Sequence, residues 1–161
     1  RVLVECRWLL ESFNVSVRVG RPVPCIVQRQ PIRPFWSVLE ALPVSMTAEI
    51  GRLLEVSAQV YRSLGEAGYY DGELSIDNLG LVMEGGQARA VLIDYGGVVN
   101  RSRCHKKMLR RWLQSIRTDF ARSFQVFKLR AFAQGSPGTQ RVVEQYINEC
   151  LGLVDRWMQI L

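Results

Sequence analysis

The stretch DGELSIDN, residues 71–78, places Asp71, Glu73, Asp77 and Asn78 within one short segment. Further on, the apolar run Val91-Leu92-Ile93 ends abruptly in Asp94-Tyr95-Gly96. An acid at the end of an apolar strand, with an amide and further acids a hairpin away, suits one chemistry in particular. It can supply oxygen ligands to a hard cation that is itself held to phosphates. Magnesium prefers such ligands and often takes only one or two from protein, with phosphates and waters completing the shell. In phosphoryl transfer the protein mainly positions groups and neutralises charge, and a nearby acid can accept the proton of an attacking hydroxyl. The competing reading is a solvated hairpin whose acids are ordinary turn material.

These residues need elements to hold them. LGLVME (79–84) and ARAVLID (88–94) read as two strands, and Gly85-Gly86 between them is a hairpin signal. Before them, Met46, Ile50, Leu53, Ser57, Val60, Leu64 and Ala67 recur at steps of four and three, which predicts a long helix over 45–67. Ser45 or Thr47 is placed to cap it and Gly68 to end it. FWSVLEAL (35–42) predicts a short helix stopped by Pro43. After the hairpin, Met108, Trp112, Ile116, Phe120, Phe124 and Phe127 share one face of a helix predicted over 104–129. Gly135-Ser136-Pro137-Gly138 breaks the pattern before a last helix over 139–160. At the other end, residues 1–13 read as the end of a helix, followed by the hairpin strands VSVRV and VPCIVQRQ and a break at Pro31 and Pro34. Few strands, paired through turns, among many helices predict an α+β, helix-dominated class.

Composition agrees. The 161 residues are 48% hydrophobic and 22% charged, enough for one domain with a real core. No apolar run approaches the roughly 20 residues of a membrane span, and no signal peptide is evident. The chain opens on Arg1-Val2-Leu3-Val4 and closes on Ile160-Leu161, so both ends look cut from something longer. Cys6, Cys25, Cys104 and Cys150 form no C-x-x-C pair, and His105 is the single histidine, which speaks against a structural zinc. The cysteines are expected to be reduced thiols of an intracellular, cytoplasmic protein. The net charge of +6 is uneven: Arg101 to Arg130 holds ten Lys/Arg against the single acid Asp119. That run reads as a solvated helix face, as a neutraliser of the acidic loop or dock for an anionic substrate, or as a membrane-surface or calmodulin-target helix. No strand interleaves basic and aromatic residues, so no nucleic-acid partner is expected.

Aligned on Asn78, the loop resembles the catalytic loop of the protein-kinase-like superfamily, H-R-D-L-x-x-x-N or H-G-D-L-x-x-x-N, with Gly72 and Leu74 matching the second form. Asp94-Tyr95-Gly96 is similar to the kinase D-F-G. ECRWLLESFN looks like the end of helix C with Glu5 at its ion-pairing position, VSVRV and CIVQRQ like strands 4 and 5, and the 45–67 helix like helix E. The resemblance implies an N-lobe remnant over 1–34, containing helix C, strands 4–5 and the hinge, and a kinase-like C-lobe over 35–161. It implies ATP and magnesium as cofactors, Asn78 and Asp94 as metal ligands, and Glu5, Asn78, Asp94 and Gly96 around the nucleotide. It makes Glu73 the catalytic base and Asp119, in RTDFARSF, the residue that anchors the loop.

The pattern is also broken. Glu73 stands where Asp is usual, and one extra methylene moves the carboxylate by roughly 1.5 Å. A misplacement of that size can cost on the order of a hundredfold in rate. Asp71 replaces the usual His, and Gly80 replaces an apolar side chain that supports the adenine. The chain begins at helix C, without a glycine-rich loop or strand-3 Lys. Two functions follow: an ATP- and magnesium-dependent phosphotransferase acting on a hydroxyl of an unspecified substrate, or a catalytically impaired pseudokinase that binds or scaffolds a protein partner. A basic helical module for acidic partners stands third.

Overall fold

The computed structural model describes residues 32–84, 87–94 and 97–161, all within the second of two units, Ile32–Leu161. Glu5, the expected first helix and its hairpin, the Gly85-Gly86 turn, Tyr95 and Gly96 lie outside the described residues. The described part is α+β and dominated by helices.

Two long helices form its centre. Helix α2 (Thr47–Glu66) packs against α5 (Pro137–Gln159). The buried positions of α2 are Ile50, Leu54, Ser57, Ala58, Tyr61 and Gly65, while Leu53, Val60 and Leu64 are only partly covered. The inward face is therefore rotated from the one predicted. The reason is that α2 has apolar neighbours on two sides, α5 and the sheet, so its stripe is broader than a single four-three repeat. Gly65 is required here: a side chain on it would run into the indole of Trp157. Trp157 in turn stacks on Tyr70, with ring centroids 4.9 Å apart. Ser57 and Tyr146 satisfy each other's buried hydroxyls at 2.9 Å. Neither predicted cap acts at the start of α2. Met46 is the N-cap with no side-chain hydrogen bond, and the Thr47 hydroxyl is hydrogen-bonded to Thr139 of α5 instead. Gly68 does end the helix, at φ +79°.

The sheet that carries the acids is a three-stranded antiparallel one, ordered β1 (Arg33–Pro34), β3 (Leu79–Glu84), β4 (Gln87–Leu92). Its register pairs Leu79 with Leu92 and Glu84 with Gln87, as the Gly-Gly hairpin requires. A second, two-stranded sheet joins β2 (Tyr69–Asp71) to β5 (Val98–Asn100), with Tyr70 opposite Val99. The short helix α1 (Phe35–Glu40) follows β1 directly and buries Phe35 and Leu39.

The helix predicted over 104–129 is two helices, α3 (Lys106–Ala121) and α4 (Phe124–Phe132). Ser123 divides them: its hydroxyl accepts the amide of Val126, a new N-cap in the middle of an apolar repeat. The buried stripe of α3 is Leu109, Leu113, Ile116 and Phe120, one residue out of step with the predicted one at its start. Each fully buried Leu or Phe contributes roughly 1.5–3 kcal/mol. Burying that stripe sets the rotation of α3 and leaves Met108 71% exposed; on α4, Phe124 and Phe127 are 76% and 66% exposed. Cys104 and Cys150 are free thiols, and burial pushes the Cys150 thiol up to about 12. Among the described residues, no helix is long and apolar enough to cross a membrane.

Candidate functional site

The loop between β2 and β3 is held from three directions. From α2, the Tyr61 hydroxyl donates to the Ser75 carbonyl at 2.8 Å. From within, the Ser75 hydroxyl accepts the Asp77 amide and starts a single 3₁₀ turn, Ile76–Asn78. From α4, the buried side chain of Gln125 grips both sides of the bend. Its Nε2 donates to the Leu74 carbonyl at 3.1 Å, and its Oε1 accepts the Ile76 amide at 3.0 Å. Leu74, fully buried between them, sits at φ +50°. A branched-chain residue in that region is strained by roughly 1–2 kcal/mol and persists only where its surroundings dictate it.

The loop anchor is therefore not Asp119. That residue is exposed at the far end of α3, where its carboxylate accepts the Ser115 hydroxyl at 2.8 Å. The physical reason is the kind of group the loop needs. The bend offers one carbonyl and one N–H, and an amide both donates and accepts, whereas an ionised carboxylate only accepts. A lone Gln inside the apolar run Phe124–Phe127 was the available signal in the sequence.

Asn78 and Asp94 are brought together. The Asn78 carbonyl accepts the Ile93 amide at 2.8 Å and lies 3.4 Å from the Asp94 amide, so the end of β4 is tied to the start of β3. Glu73 reaches the same point: its Oε2 accepts Asn78 Nδ2 at 2.9 Å. Three residues assigned to one site from the sequence thus share one cluster. Glu73 and Asp94 are exposed and Asn78 is half-buried. With its Nδ2 turned to Glu73, Asn78 keeps a free choice of partner for its carbonyl oxygen. An amide oxygen and a carboxylate are the kinds of hard-oxygen donor that magnesium takes, and the backbone ties bring the two residues that carry them side by side. Among the described residues, no three His, Cys, Asp or Glu side chains converge as a ligand group, so a cation here would rest on this pair together with phosphate.

The other two loop acids differ from each other. Asp77 is paired with Lys128 of α4 at 3.4 Å, and the Lys128 ammonium also lies 3.9 Å from the Trp36 ring centre. Asp71 is 1% exposed. Its Oδ1 accepts the Glu73 amide at 3.0 Å, and its Oδ2 has no hydrogen-bond partner. Burial, foremost, pushes this carboxyl above its ordinary range. The Glu73 and Leu74 amides oppose the shift, and the negative charges of Glu73 and Asp94 add to it.

Close packing fixes the floor of the site. A side chain on Gly72 would meet the Trp112 ring at 2.9 Å, and one on Gly97 would meet Asp71 Oδ1 at 3.1 Å. The Gly72 amide donates to the Gly97 carbonyl at 3.0 Å, joining the loop to the segment after Asp94. Gly80 has an equally local reason: a Cβ there would overlap the side chain of Ile32, which fills the space beside β3. Glu5 and Gly96, the remaining residues assigned around a nucleotide, lie outside the described residues. No protein-family model, curated protein or solved structure matches the chain.

Proposed function

We propose that residues 35–161 are a divergent protein-kinase-like C-lobe, and that the junction of the 71–78 loop with the β3–β4 hairpin is a magnesium–nucleotide site serving phosphoryl transfer to a hydroxyl. The observation that carries this reading is the junction itself. The Asn78 carbonyl holds the Ile93 and Asp94 amides, while Glu73 bonds to the Asn78 side chain. Asn78 and Asp94 would hold the cation. Bound magnesium would supply charge neutralisation at the transferring phosphoryl group. Glu73, exposed beside them, would accept the proton of the attacking hydroxyl. Gln125 and Tyr61 hold the loop backbone so that these side chains start from a fixed frame.

The pseudokinase reading draws on one specific observation. Glu73 is already hydrogen-bonded to Asn78, so the longer acid is folded onto the neighbouring ligand position. A transfer assay on the natural full-length protein separates the two readings. Labelled ATP with magnesium is incubated with the protein and a panel of hydroxyl acceptors, and nucleotide binding is measured in parallel. Turnover that falls in Glu73→Gln and rises in Glu73→Asp supports the enzyme. Binding that is lost in Asp94→Asn, with no turnover in any variant, supports the pseudokinase. Absence of both binding and turnover removes the site assignment.

A further inference from the structure

The cationic run that follows the site has no role in the chemistry above. Arg101, Arg103, Lys106, Lys107, Arg110 and Arg111 are all exposed. None has an ion-pair partner among the described residues, whereas Arg117, Lys128 and Arg130 are paired with Asp155, Asp77 and Glu144. At 100° per residue, Lys106, Lys107, Arg110 and Arg111 fall within one arc of about 140° on α3, beside the buried stripe of Leu109, Leu113, Ile116 and Phe120. Lys106 and Lys107 occupy the first turn of α3, which holds no acid. Cations there oppose the helix dipole, which favours negative charge at that end. The fold alone gives no reason to place them so.

At the foot of this helix lies an open groove of about 670 Å³, lined by Leu64, Tyr69, Val98, Val99, Arg103 and Cys104, with Asn100 at its polar side. Lys107 follows Cys104 by three residues, so their Cα atoms are at most about 11 Å apart. β5, which forms one wall, is hydrogen-bonded to β2 on one side only. Its other edge keeps main-chain groups that an extended segment can pair with.

We propose that this groove and the cationic arc of α3 form a docking surface for an acidic protein segment that carries one apolar anchor side chain. Three features select that partner over an anionic membrane or a nucleic acid. The mostly apolar lining of the groove takes an apolar side chain, a strand edge takes a peptide backbone, and the uncompensated cations take flanking carboxylates. A bilayer offers neither a strand to pair nor a single anchor to insert. The surface does not depend on the phosphoryl-transfer reading.

The test is fluorescence anisotropy on the natural full-length protein, with a short fluorescein-labelled Glu/Asp peptide bearing one central Leu. Saturable binding is expected, weakened by Leu→Ser in the peptide. Arg110→Glu should weaken it at least about threefold and Arg110→Glu with Arg111→Glu at least about tenfold, at the upper end of exposed charge contacts. Arg141→Glu makes the same net-charge change on α5, roughly 20 Å along that helix from the Asp155 that pairs with α3. It should leave binding intact. The proposal is overturned if the peptide does not bind, if the Ser peptide binds equally, or if Arg141→Glu weakens binding as much as Arg110→Glu. Binding to phosphatidylserine vesicles or single-stranded RNA without peptide binding overturns it as well.

Discussion

Replacing Gln125 probes the frame on which the whole site rests. Gln125→Ala removes one donor and one acceptor from a 7%-exposed position. It leaves the Leu74 carbonyl and the Ile76 amide without their partners. Each buried, unsatisfied group costs about 1–3 kcal/mol, and partial access of water to the vacated space offsets some of this. A loss of about 2–4 kcal/mol is expected, or roughly 6–14 °C in Tm for a domain of this size. Gln125→Glu sharpens the test. The protonated acid can still donate and accept, but the ionised one cannot donate to Leu74 and is desolvated. Its folded pKa is therefore raised above the unfolded value of about 4.3. The sign follows from linkage: the folded state binds more protons, so stability falls as pH rises above the unfolded pKa and levels off past the folded one. Gln125→Glu should thus be close to the parent in acid and increasingly weaker toward neutral pH. Urea denaturation followed by far-ultraviolet circular dichroism, at a series of pH values, measures this directly. Asp119→Ala, at an exposed site, should cost less than about 0.5 kcal/mol. A Gln125→Ala variant as stable as the parent, or an Asp119→Ala variant that loses more, would refute the anchor assignment.

Other outcomes follow from the same geometry. For Asp71, burial raises the folded pKa above its unfolded value, so its stabilising effect is present in acid and is lost as pH rises; the parent should gain stability relative to Asp71→Asn as pH falls through the carboxylate range, read from paired melts. Gly72→Ala should destabilise by about 1–3 kcal/mol because its methyl meets the Trp112 ring, and adding Trp112→Leu should recover part of that loss in thermal melts. Lys128→Met should cost no more than about 1–2 kcal/mol, with Trp36 contributing beside Asp77, and high salt should shrink only the Asp77 part, as a double-mutant cycle with Asp77→Asn will show.

The parts of the fold legible in the sequence are those set by local rules. Gly68 announced the end of α2, and the Gly85-Gly86 hairpin signal announced β3 and β4, which pair in a register running from Leu79–Leu92 to Glu84–Gln87. That register alone brings Asn78 to Asp94, so the meeting of these two residues followed from a hairpin. What the sequence concealed was set by tertiary partners. The rotation of α2 depends on being covered from two sides, and the division of α3 from α4 turns on one serine hydroxyl inside an unbroken apolar repeat. Gln125 was missed for a related reason. A single acid in a basic helix draws the eye, yet the loop's need for a donor and an acceptor at once appears only when the chain is folded. Asp71 read as one loop acid among several, and only burial separates it from Asp77, which has its own lysine.

Asn78 and Asp94 are proposed to hold together a cation that carries a nucleotide. Titrating manganese–ATP into isotope-labelled full-length protein tests it at the atoms concerned, because the paramagnetic ion broadens only nearby resonances. The Asn78 side-chain amide and the Ile93 and Asp94 backbone amides should broaden first, resonances of α5 should stay sharp, and Asp94→Asn should abolish the effect while leaving the rest of the spectrum in place. Uniform broadening, or selective broadening that survives Asp94→Asn, would contradict it.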